Sequence, residues 1–231
     1  MDTAVIIQII KYLVIVLAAV LMGNGAVYLF NHMPSGWFLD YGEEKKEEAY
    51  TQRVKSTPWK YCFSMLFVAI GLYLVRDDWV YAMAVMVISW ILLEFAMSDI
   101  KYRIVPDQLL IMLAVSAVGV IQYHQGALDM LYGALLGFGI MGMTALLGKA
   151  MYRREAVGGG DIKLFAALGL VLGVKGALIV FMLSALLSGA HMVLLLARKK
   201  IKRKDTIPMV PYISAAAGIY LVFIWQGPLG L

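Results

Sequence analysis

The chain carries a single cysteine, Cys62, in 231 residues, which excludes an intrachain disulfide and any CxxC zinc or redox pair. Charge is nearly as scarce. Asp, Glu, Lys and Arg make up 15% of the residues against 62% hydrophobic, and the mean hydropathy is +0.81. A soluble domain is a poor fit to that balance, and an all-α polytopic membrane protein is a good one. No basic run precedes the first apolar stretch, where Asp2 stands instead, and no A-x-A pattern closes it. Ala4 to Met22 therefore reads as a retained helix, not a cleaved signal peptide. No internal repeat marks a transporter with duplicated halves, and no motif points to nucleic acid. Cys62 is expected to be a small buried apolar residue.

What the chain does have is long apolar runs, near 4–30, 60–75, 79–98, 104–122, 128–148, 176–197 and 207–225, with a shorter one at 161–173. Counted together they make about eight transmembrane helices. The basic residues then gather on one side. Lys45, Lys46, Arg53, Lys55 and Lys60 follow span one, Lys101 and Arg103 span three, Lys149, Arg153 and Arg154 span five, and Arg198 to Lys204 span seven. The other side has little beyond Arg76 and Lys175. The positive-inside rule puts the basic loops in the cytoplasm and both termini outside. The division expected is an N-terminal membrane region, 1–94, with a mixed acidic and basic cytoplasmic loop at 35–58, and a single membrane domain, 95–231.

On this topology Asp99, in EFAMSDIKYRIVPDQLL, and Asp161, in VGGGDIKLFAALGLVLG, lie at the same cytoplasmic border. Ionisable residues at a membrane boundary are costly enough to mark function. Two carboxylates at one site are the minimal equipment of an aspartyl hydrolase, one ionised to take a proton from water and one protonated to polarise the scissile carbonyl. Asp161 opens a helix, whose dipole favours the anion, and Asp99 closes one, whose dipole disfavours it, so Asp161 is expected as the base and Asp99 as the acid. Gly158, Gly159 and Gly160 permit positive φ and close backbone approach beside Asp161, as a site admitting an extended peptide requires. Each feature has a plain alternative. Asp161 alone could be the N-cap that ends a glycine loop, and Asp99 alone a solvated boundary residue beside Lys101 and Arg103.

The segment Asp99 to Asp107, with Ile104, Val105 and Pro106, resembles the first catalytic motif of the type IV prepilin peptidases, and GGGDIKLFAALG resembles their second, GxGD. IPMVPYI, with Pro208 and Pro211, is similar to the proline-containing segment near the end of that family. The resemblance covers about 95–225 and implies that Asp99 and Asp161 are the catalytic aspartates and that Gly158 and Gly160 are motif glycines. It further implies an inner-membrane protease that cuts a short basic leader from type IV prepilins or pseudopilins after a glycine on the cytoplasmic side. GNGAVYLFNHMP, Gly23 to Pro34, is similar to the segment that opens bifunctional family members, but Val27 replaces the expected asparagine and His32 the usual arginine. The paired CxxC motifs of the cytoplasmic loop are absent. Methylation with S-adenosylmethionine is therefore not expected, and no cofactor or metal is.

The remaining polar residues carry weaker signals. Glu43, Glu44, Glu47 and Glu48 belong to a short surface helix with i,i+4 charge pairs, or with Asp107 and Glu155 to an acidic patch attracting the basic leader. Lys163 either tunes the aspartates or binds substrate, or simply reaches for water. Glu94 calls for a structural hydrogen bond, snorkelling or a supporting catalytic role. His191 reads as a packing residue. Gly133, Gly137, Gly139 and Gly142 supply small-xxx-small spacing for close helix packing. The 15 methionines fill lipid-facing and core positions, with flexible thioethers that also suit a groove for varied apolar helices. Two other functions use the same carboxylates. One is an ion-coupled transporter or channel, which would prefer acids near the midplane. The other is a presenilin-like protease, whose PAL sequence is missing.

Overall fold

The computed structural model describes residues 3–39, 53–152, 158–201 and 207–225. Among these there is no strand, and the elements are α1 (Thr3–His32), α2 (Ser56–Leu74), α3 (Trp79–Tyr102), α4 (Asp107–Ser116), α5 (Ala127–Tyr152), α6 (Gly159–Ala197) and α7 (Val210–Ile219). Short 3-10 turns occupy Ser35–Phe38 and Ala117–Tyr123, and α7 runs on as a π-helical turn, Tyr220–Trp225. α1, α3, α5 and α6 are long and apolar enough to cross a membrane, and the chain is a membrane protein. Helix is the form that lets such segments satisfy every backbone group internally. The run at 104–122 is not one α-helix, because α4 tightens into the 3-10 turn after Ser116.

The chain divides into two compact units, Met1–Glu94 and Phe95–Leu231, with the boundary inside α3. In the first, α1 packs on α2 through glycines. A Cβ on Gly23 would collide with the Ser64 backbone, and one on Gly71 with Ile15 and Met86. Trp90 Nε1 donates to the Met22 carbonyl at 3.1 Å. The Asp78 carboxylate accepts from the Val80 and Tyr81 N–H groups at 2.8 and 3.2 Å, capping the start of α3. At the end of α1, buried Arg53 donates to the Phe30 and Met33 carbonyls at 2.7 and 2.6 Å, with its guanidinium over the Phe38 ring. Asn31 exchanges two hydrogen bonds with the Val54 backbone. Arg53 thus satisfies helix-terminal carbonyls that α1 leaves open, a role its place among the topology-setting cations did not disclose. Cys62 is exposed on the helix surface, not buried as expected, because in a membrane helix the outer face is apolar too.

In the second unit α5 and α6 pack along their length. Gly133 on α5 faces Gly169 and Gly173 of α6, and Gly137 faces the Phe165 backbone, so closely that a Cβ at either glycine would overlap main-chain atoms. This is the small-residue seam the spacing suggests, but it uses only Gly133 and Gly137. Gly139 and Gly142 meet nothing within 4 Å, since they project from other faces of α5. α6 is interrupted at Gly173, where φ is 70° and ψ is −175°. Only glycine takes that conformation at low cost, so α6 is two helices, 159–172 and 174–197, joined at one residue.

Candidate active site

Asp99 stands in the last turn of α3. That helix stops because Arg103 adopts a left-handed φ of 56°, while its N–H still bonds the Asp99 carbonyl at 3.0 Å. Ser98, fully buried, donates its hydroxyl to the Ile104 carbonyl at 2.6 Å and holds the exit segment down. Buried Pro106 then serves as N-cap of α4, with Asp107 in the first turn. The run from Ser98 to Asp107 is therefore one tight corner that fixes Asp99 against the next element.

Asp161 is set by a second corner. Gly158, with extended φ and ψ of −70° and 148°, is the N-cap of α6, and Asp161 is the third helical residue, not the cap. Its carboxylate accepts a hydrogen bond from the Gly158 N–H, the reach-back half of a capping box. None of the three glycines has positive φ; that conformation among glycines is confined to Gly126 and Gly173 in the described residues. The requirement at Gly160 is room. A Cβ there would lie 2.8 Å from Val105 Cβ, so the glycine of the second motif is what lets the valine of the first approach. A Cβ at Gly158 would come within 3.6 Å of Asp161 Oδ2, an ordinary contact, and Gly159 faces open space.

The two corners set Asp99 close enough for its charge to bear on the Asp161 carboxyl. Asp99 is 7% exposed and Asp161 is half-buried. A third element completes the arrangement. The Val210 N–H, at the N-terminus of α7, donates to Asp99 Oδ2 at 3.0 Å in a buried bond, and the Met209 N–H also reaches that carboxylate. Both donors lie between Pro208 and Pro211, with Pro211 in the first turn of α7. The charge of Arg103 also bears on Asp99. The expectation that a helix C-terminus disfavours an Asp99 anion considered α3 alone. The opening turn of α7, whose N–H groups favour an anion, faces the same carboxylate.

Lys163 does not reach for water alone. Its ammonium pairs with Asp107 Oδ1 at 2.8 Å, both side chains about half exposed, so the ion pair joins the start of α6 to the start of α4. Asp107, expected to attract a leader, is engaged by Lys163. Glu94 is fully buried, and neither carboxylate oxygen has a hydrogen-bond partner among the described residues, so it neither snorkels nor makes the structural bond expected. His191 is exposed and hydrogen-bonds Tyr212 Oη of the IPMVPYI segment. Glu43, Glu44, Glu47, Glu48 and Glu155 lie outside the described residues. No group of three or more His, Cys, Asp or Glu residues able to hold a metal occurs among the described ones. The donor that sequence reading missed is the Val210 N–H. Its only sequence trace is the pair of prolines around it.

Residues 86–194 match the model of the type IV leader peptidase family. Similar curated proteins include the prepilin leader peptidase/N-methyltransferase of Xanthomonas campestris, 32% identical over 145 residues that are 62% of this chain and 50% of that protein. That of Bacillus subtilis is 33% identical over 144 residues, 62% of this chain and 55% of that protein. That of Pseudomonas aeruginosa is 30% identical over 144 residues, 61% of this chain and 49% of that protein. The chain spans about half the length of the curated relatives it matches. No solved structure matches it. Asp99 and Asp161 both fall inside the matched segment, and Pro208 and Pro211 fall beyond it. Over residues 86–194, a little under half of its length, this membrane protein is similar to the type IV leader peptidase family.

Proposed function

We propose that the chain is a membrane aspartyl endopeptidase that removes the basic leader from type IV prepilins or pseudopilins, with Asp99 and Asp161 as its catalytic pair. The observation that carries this is the packing of the two motif corners, Val105 against Gly160, which sets Asp99 close enough for its charge to bear on Asp161. In the reaction, a water oxygen attacks the carbonyl of the residue before the cut. One aspartate takes the water proton while the other, protonated, donates to the carbonyl oxygen. Collapse of the tetrahedral species breaks the C–N bond, and a proton passes to the leaving amine. Asp99 is the better placed to hold the negative charge, since the Val210 N–H and the Arg103 charge are already directed to it. This reverses the assignment drawn from the dipoles of α6 and α3, and in a coupled pair either label belongs to the pair as much as to one residue.

The full topology belongs to the same proposal. There are eight spans, both termini are outside, and the pair lies at the cytoplasmic face of the inner membrane. The break at Gly173 supports counting α6 as two segments, and with eight segments the basic loops share one side. Residues 1–94 form a membrane region reduced for methyl transfer, and 95–231 the peptidase. In the first, Val27 is buried and apolar, and the His32 ring bonds the Tyr28 carbonyl of its own helix. S-adenosylmethionine is accordingly not a cofactor of this reading, and neither is a metal. Glu43, Glu44, Glu47, Glu48 and Glu155 attract the leader's basic residues, as does Asp107 when a substrate cation competes with Lys163 for it.

The test is cleavage by the purified chain in liposomes of a prepilin with a basic leader and a Gly-Phe junction, with the product N-terminus read by mass spectrometry. Cleavage after the glycine is expected. An intact substrate across several prepilins, with well-folded protein, would overturn the proposal.

A further inference from the structure

The break in α6 interrupts its backbone ladder, opening carbonyls before it and N–H groups after it that need partners from outside the helix. Two side chains not used by the chemistry above take one of each. His124 Nε2 lies 3.0 Å from the Val171 carbonyl oxygen. Asp129 Oδ1 accepts from the Val174 N–H at 3.3 Å. The two are joined to each other, with His124 Nδ1 and Asp129 Oδ2 3.0 Å apart. The imidazole thus bridges the Val171 carbonyl on one side and the Asp129 carboxyl on the other. The His124 side chain is only 2% exposed. Its ring packs at 4.8 Å from that of Trp225, which stacks on Tyr220. A Cβ on Gly173 would overlap the Asp129 carboxylate, so the glycine makes the break and also admits the residue that closes it.

The first half of α6 carries Asp161 near its other end, twelve residues from Gly173 and about 18 Å away along the helix. A small change of angle at the joint therefore moves the carboxylate sideways by a comparable fraction of that length. We propose that His124 and Asp129 form a clasp that sets the angle between the two halves of α6 and so places Asp161 opposite Asp99, making them positioning residues for the peptidase. This rests on the proposed function, and its test carries one readout that does not.

Nitroxide labels on Gly159→Cys, in the first turn of α6, and Ile111→Cys, on the exposed face of α4, in a Cys62→Ser background, report the position of that helix end by pulsed electron resonance. Against the unmodified clasp, His124→Gln and Asp129→Asn are expected to broaden or displace the distance distribution. The double variant should do no more than either single one, since both remove the same clasp. In unlabelled protein the same substitutions are expected to lower kcat roughly ten- to hundredfold, the scale of an ångström-sized misplacement, with KM for prepilin within about twofold. The pH–rate profile should also be displaced, because the spacing of the aspartates governs their coupling. An unchanged distance distribution would overturn the clasp whether or not the protein cleaves anything. So would a kcat loss proportional to loss of folded protein with an unchanged pH profile. Absence of cleavage by wild type alongside a displaced distribution would instead remove the proposed function and leave the clasp as a feature of the fold.

Discussion

Asp99 and Asp161 were legible because a carboxylate at the edge of an apolar run is conspicuous in a sequence. The groups that hold them were not, because a backbone N–H has no letter of its own. Val210 reads as one more apolar residue, yet its amide makes the buried bond to Asp99. Removing that donor with Val210→Pro is expected to lower kcat about tenfold or more, in line with ~1.5–3 kcal/mol for a hydrogen bond to a charged group. Val210→Ala, which keeps the amide, should stay within about twofold, and equal losses in both would show that only the side chain counts. Gly160 was legible as important but for the wrong reason. Its φ is ordinary, and what it provides is room for Val105. Gly160→Ala should therefore impair cleavage, and Val105→Ala in the same chain should recover a substantial part of it. A kinetic double-mutant cycle with no coupling would refute that contact.

Helix periodicity says which segments are apolar but not where a helix bends or which small residues meet a neighbour. The run at 161–173 was separable from 176–197 only because the charge pattern demanded an extra span. Its physical cause is the backbone of Gly173, held by His124 and Asp129, which no apolar count would single out. In the same way, the spacing of Gly133, Gly137, Gly139 and Gly142 could not tell the seam from the outer face of α5. Gly133→Leu and Gly169→Leu are each expected to destabilise the folded protein by ~1–3 kcal/mol or more, the cost of overpacking a close contact. Gly139→Leu, facing open space, should cost little beyond local backbone effects. Thermal unfolding in one detergent distinguishes them, and equal midpoints for Gly133→Leu and Gly139→Leu would contradict the seam. The Lys163–Asp107 pair, half exposed at both ends, should contribute no more than ~1 kcal/mol to stability. A Lys163→Ala variant is expected to unfold close to wild type.

For the whole molecule, composition was enough to read an all-α membrane protein, because a bilayer admits so few backbone solutions. The burial of Cys62 was misjudged for the same reason, since in a membrane an exposed face and an apolar face are one. The acidic loop offers a charge-based prediction at this scale. Replacing Glu43, Glu44, Glu47 and Glu48 by Gln should raise KM for a basic-leader prepilin at low salt, and the difference should shrink as salt screens it. A KM that does not change would remove the loop from substrate capture. The product should also leave the enzyme without an added methyl group, and a product heavier by one methyl would restore the transferase role to residues 1–94.

The central claim is that Asp99 and Asp161 act as one catalytic unit. The most direct measurement is the cleavage rate of Asp99→Asn, Asp161→Asn and the double variant, purified in liposomes against the same prepilin, with folding checked by thermal unfolding. Members of one unit are not additive. Each single substitution is therefore expected to lower the rate by roughly a thousandfold or more, and the double to fall no further. A folded single variant that keeps a large part of wild-type activity, or two partial losses that multiply in the double, would contradict it.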